Sequence, residues 1–99
     1  MKILALEKEL PDLTPDAFKS FAEEEAREAW ALYQTGIIRE LYFHADQQSA
    51  VLVLECESVE EARSILASLP FVRERLITFE IIPLKAYPGF ARLFHEEEG

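Results

Sequence analysis

"GIIRELYFHADQQSAVLVLECESVEE", residues 36–61, is the stretch that decides the fold. It holds two apolar runs, "IIRELYFHA" and "AVLVLEC", of a length that favours strands over helices. The four residues "DQQS" between them read as a hairpin loop, so the two runs pair antiparallel. "SVEE" then opens a helix with a capping box, in which Ser58 accepts from the Glu61 amide and Glu61 reaches back. Val59, Ala62, Ile65, Leu66 and Leu69 form its buried stripe, and Pro70 ends it.

Upstream, Gly36 is the stop signal of an earlier helix of about twenty residues. That helix starts at "LTPDAF", where Thr14 caps, Pro15 suits the first helical position and Asp16 faces the positive end of the dipole. Its apolar stripe is Phe18, Ala22, Ala26, Ala29, Trp30 and Tyr33, with Glu23, Glu24, Arg27 and Glu28 on the wet side. Trp30 and Tyr33 are expected in the core. "KILALEK" supplies a first strand and "LITFEIIPL" a fourth, whose Pro83 cannot donate a ladder bond and suits an edge or the end of pairing.

Strand, helix, strand, strand, helix, strand is the split βαβ order of a ferredoxin-like α+β fold, with a four-stranded antiparallel sheet and both helices on one face. The other face is left bare and apolar. Monomers rarely expose such a patch, so a second copy related by a two-fold axis is expected to cover it. The chain reads as a single domain over residues 1–99, with a core of about residues 1–85. The aromatic tail, residues 86–99, is expected to pack on a partner subunit.

Composition narrows the functional classes. The 99 residues, 49% hydrophobic and 11% aromatic, suit one folded domain. Ten basic against nineteen acidic residues give a formal charge of −9, which disfavours nucleic acid and anionic membrane surfaces as partners. No run approaches the ~18 apolar residues of a membrane span, and the N-terminus has no signal-peptide pattern. A single cysteine, Cys56, fits a cytoplasmic protein and reads as a small buried hydrophobe. There is no glycine-rich phosphate loop, no metal-ligand spacing and no Gly-x-Ser-x-Gly elbow, so a site without cofactor or metal is expected.

The run "ECESVEEARSILASLPFVRERLITFEIIPLKAYP" resembles the muconolactone isomerase family in its Ser-Val-Glu helix start, the Leu-Pro after that helix and a last strand leading into a proline-containing tail. "LYQTGIIRELYF" is similar to the same family's helix end, glycine and arginine-containing second strand. The resemblance covers about residues 22–90 and extends to the wider dimeric α+β barrel superfamily. It implies a homodimer whose sheets pack face to face into a barrel, higher assembly through exchanged C-terminal segments, and a pocket for a small organic molecule.

Strand alternation puts Glu40, Tyr42 and His44 on one face, with Arg39, Leu41 and Phe43 on the other. If Leu41 and Phe43 pack under the helices, the polar row faces the barrel interior. In the fourth strand Thr78 and Glu80 alternate against Ile77, Phe79 and Ile81 and join the row. A desolvated carboxylate beside a histidine suits general acid or base work. The expected catalytic residues are therefore Glu40, His44 and Glu80, with Arg39, Tyr42 and Thr78 binding substrate. Two functions remain open: a cofactor-free isomerase, or a non-catalytic ligand-binding or oligomerisation module of the same fold. A wet sheet face or an interfacial salt-bridge ladder would give the same pattern.

Overall fold

The computed structural model describes residues 1–94. Its elements run β1 (Lys2–Glu9), α1 (Pro15–Gln34), β2 (Ile38–Phe43), β3 (Ala50–Glu55), α2 (Val59–Ala67), α3 (Pro70–Arg73) and β4 (Ile77–Pro83), and a 3-10 helix follows at Gly89–Leu93. The strands form one antiparallel sheet in the order β2-β3-β1-β4. This is the expected α+β fold. β4 is an edge strand, which accommodates Pro83 opposite Ile3.

Local chemistry sets the boundaries. Thr14 Oγ1 accepts from the Ala17 amide at the head of α1. At its other end Gly36 adopts φ 85°, while the amides of Gly36 and Ile37 donate back to Tyr33 and Leu32 carbonyls. That pair of bonds is a Schellman motif, and a left-handed residue is what it requires. Ser58 Oγ caps α2 through the Glu61 amide, whereas Glu61 Oε1 accepts from Glu57, one residue before the cap. The short α3 was not expected. It ends in a second Schellman motif, with Arg75 at φ 62° in the position glycine usually fills.

The core lies between the sheet and the helices. Ile3 and Ala5 of β1, Leu52 and Leu54 of β3 and Ile38 of β2 meet Ala62 and Leu66 of α2 and Leu69 just beyond it. Each fully buried aliphatic side chain there contributes about 1.5–3 kcal/mol. Cys56 is buried at the end of β3, and burial pushes its thiol pKa up. In contrast, α1 has no buried residue. Trp30 and Tyr33 depart from the expected core: they are 59% and 48% exposed and stack on each other with centroids 5.8 Å apart. Their spacing follows the helical period, but the residues of this part of α1 that pack on the core are Ala29 and Leu32.

The tail leaves the body after β4. Tyr87 and Phe90 pack edge to face 5.0 Å apart, and Gly89 lies against the Tyr87 ring where a Cβ would collide. Tyr87, Phe90, Leu93 and Phe94 are otherwise exposed. The radius of gyration is 17.2 Å, against ~13 Å for a compact chain of this length. The remainder of the tail, residues 95–99, lies outside the described residues. Among the described residues no helix is long and apolar enough to cross a membrane.

Candidate active site

The alternation of β1, β3 and β4 divides the sheet into two unlike faces. Under α1 the helix face opens into a cavity of about 690 Å³, within the range of small-molecule sites. Leu41, Phe43 and Phe79 line it from the sheet, and Phe18, Ala22 and Ala29 from α1. Leu41 and Phe43 turn toward the helices and form part of this lining.

Two carboxylates interrupt the apolar lining. Glu7 follows Ile3 and Ala5 at the inward positions of β1, and its Oε1 accepts from the Ala50 amide at 2.9 Å. Glu25 comes from α1, and its Oε1 accepts from the Phe71 amide at 2.9 Å, capping the first turn of α3. Burial raises the pKa of both above the ordinary carboxylate value, against the opposing pull of their amide bonds. Glu9 pushes Glu7 further up; Glu28 and Glu7 do the same to Glu25, while Arg73 pulls Glu25 down. The two acids therefore repel each other across one cavity. Such a pair can hold a proton at one carboxyl while the other stays ionised, which suits acid and base in one site.

Sequence reasoning passed over both. The signal was nevertheless present: Glu7 shares the parity of Ile3 and Ala5, and Glu25 shares the i, i+3, i+4, i+7 stripe of Phe18, Ala22 and Ala29.

The structure places the polar row on the face opposite the helices. Glu40 and Tyr42 do share that face, and Tyr42 Oη donates to Glu40 Oε1 at 2.9 Å, which raises the tyrosine pKa. Glu80 and Thr78 alternate against Phe79 on the same side of β4, and Lys8 approaches Glu80 at 3.7 Å. Half-buried Leu4, Leu6, Val51, Val53 and Ile82 separate the two polar edges. His44 lies past the end of β2, where its Nδ1 accepts from the Asp46 amide. Arg39 is taken out of the alternation by a bulge: the ladder steps from Ile38 to Glu40, and Arg39 Nε donates to the Gly36 carbonyl at 2.7 Å. None of these six residues lines the helix-side cavity. Among the described residues no group of three histidine, cysteine or acidic side chains is assembled as a metal site.

The family profile for muconolactone delta-isomerase matches residues 5–89. The chain belongs to the muconolactone delta-isomerase family. Among solved structures, muconolactone isomerase superposes with a TM-score of 0.74 at 24% identity, covering 89% of this chain and 92% of that one. The 5-chloro-2-hydroxyhydroquinone dehydrochlorinase of Burkholderia phenoliruptrix AC1100, in complex with 2,5-dihydroxybenzoquinone, gives a TM-score of 0.62 at 18% identity over 90% of this chain and 98% of that one. At these identities the two structures establish the shared fold. Among curated proteins no match is found.

Proposed function

We propose that this member of the muconolactone delta-isomerase family is a cofactor-free isomerase that moves a proton on a small cyclic molecule held between α1 and the sheet. The observation that carries the reading is the pair Glu7 and Glu25, brought from two elements to one apolar cavity with their pKa values raised by burial. Moving a ring double bond requires one C–H bond to break and another to form. The ionised carboxylate takes the first proton and the protonated one supplies the second, so no oxidant or metal enters the balance. The small cyclic molecules in the names of the two structural relatives are of the size this cavity admits.

The open sheet face has a different task in this reading. Its apolar middle is covered by a second copy in a homodimer, and the tail lies on the partner subunit. The row Glu40, Tyr42, Thr78 and Glu80 then rims the interface. The exposed aromatics beyond Leu84 and the extended shape of the chain support this.

A second reading, a non-catalytic binding module, is favoured by the structural work each acid already does: Glu25 caps α3 and Glu7 holds the Ala50 amide. The two readings separate cleanly. Glutamine keeps an oxygen that can accept either amide bond but loses the proton chemistry. Deuterium incorporation into a simple β,γ-unsaturated butenolide, followed by proton NMR in D2O, is expected for the wild type. It should fall about 10²–10⁴-fold in Glu7→Gln or Glu25→Gln at unchanged melting temperature. Wild-type exchange no faster than buffer would leave the binding module.

A further inference from the structure

The charges around the cavity point to a ligand class. Three carboxylates, Glu7, Glu9 and Glu25, line it, and among the described residues Lys19 is the one basic side chain of the lining. With one proton held by the Glu7–Glu25 pair, two negative charges against one positive leave the cavity wall net negative, on a chain that carries −9 overall. Arg27, on α1 itself, is paired with Glu23 and does not line the cavity. Arg39 Nε is bonded to the Gly36 carbonyl, and Arg73 is paired with Glu24 and Glu74. Neither lines the cavity. Resting on the cavity reading above, we infer that this site takes an uncharged ring compound and rejects a carboxylate anion of the same shape.

The physical reason is additive. A ligand carboxylate would lose its water to an apolar wall, and it would stand beside the ionised member of the Glu7–Glu25 pair in a partly desolvated space. A neutral ring loses far less on transfer, and any hydroxyl it bears finds ready acceptors in Glu7 and Glu25. Muconolactone has a carboxylate side arm, so a site of this charge departs from the family's namesake substrate. The lactone or hydroxylated ring is retained in this inference, and the anionic arm is not.

Matched pairs that differ only in this charge provide the test: muconolactone against its methyl ester, and 4-hydroxybenzoate against its methyl ester, at a pH of about 7.5. The readout is the 15N–1H shifts of Ala50 and Phe71, whose amides donate to the two carboxylates. Each ester is expected to move these signals with a Kd about ten-fold or more below that of its acid. In the Glu7→Gln, Glu25→Gln double variant that margin should close. An acid that binds as tightly as its ester while moving the same signals overturns the inference and leaves the cavity as a binding site. A margin unchanged in the double variant also overturns it, because the discrimination then has another source. Esters and acids that all leave both amides unmoved at about 10 mM, a concentration that would reveal even weak complexes, remove the cavity reading and the inference with it.

Discussion

The two faces of the sheet are built from the same strands at opposite parity. Along β1, Ile3, Ala5 and Glu7 turn to the helices while Leu4, Leu6 and Lys8 turn away. Both faces thus mix aliphatic residues with charge. What separates them is what lies above. On the helix face α1 roofs the sheet and half-buries the acids, so their pKa values rise. On the open face Glu40 bonds to Tyr42 and Glu80 approaches Lys8, both pairs exposed. Enclosure, more than residue type, is what raises the pKa values of Glu7 and Glu25.

The largest expected effect bears directly on this contrast. Loss of butenolide proton exchange, about 10²–10⁴-fold, falls on Glu7→Gln and Glu25→Gln. The same loss in Glu40→Gln or Glu80→Gln, with the first pair active, would move the chemistry to the open face.

Association tests the open face next. Val53 sits in its apolar middle, opposite Leu4. Sedimentation at micromolar concentration should show a dimer, since an obligate interface of ~2,000 Å² or more leaves little monomer. Val53→Glu should weaken the dimer about 100-fold or more, because it buries an unpaired charge. Removal of the chain after Leu84 should lower the association state as well. A wild-type monomer would leave the open face as a plain wet surface.

A smaller effect concerns stability against pH. Glu7 and Glu25 have folded-state pKa values above their unfolded ones, so their contribution is fully present below the unfolded value near 4.5 and is lost as pH rises through the raised values. The melting temperature should drop across that window on going toward neutrality. The double glutamine variant should show a flatter profile, and one as steep as the wild type would assign the slope to other acids.

The smallest expected change lies in the second Schellman motif. Arg75 at φ 62° carries the left-handed penalty of an L side chain. Arg75→Gly should raise stability by about 0.5–1 kcal/mol in urea titration, the relief being partly offset by a more flexible unfolded chain. A loss of stability would show that the arginine side chain contributes more than its backbone costs.

Much of the fold was legible because it is written in local chemistry. Thr14, Ser58 and Gly36 mark helix ends by the bonds they make, and alternation in β3 and β4 declares two faces. Three features were not legible. α3 is a single turn whose Phe71 amide is satisfied by Glu25, forty-six residues earlier in the chain, so no local signal announces it. Trp30 and Tyr33 obey the helical period, but period alone does not say that Ala29 and Leu32, one residue away from each, are the ones that meet the core. The candidate acids were hidden for a related reason. Glu7 and Glu25 look like ordinary surface charges until their neighbours in parity and stripe are seen to be apolar, whereas Glu40, Tyr42 and His44 draw the eye as a cluster.

The bulge at Arg39 acts like a one-letter insertion in a text read two letters at a time. Ile38 and Leu41 share a face although they are three positions apart, and Glu40 and Tyr42 fall on the other face. An alignment of this strand with a relative lacking the extra residue must open a gap at Arg39. Without that gap every position on one side of it is compared with a residue that faces the opposite way, and a cavity side chain is mistaken for one on the open face.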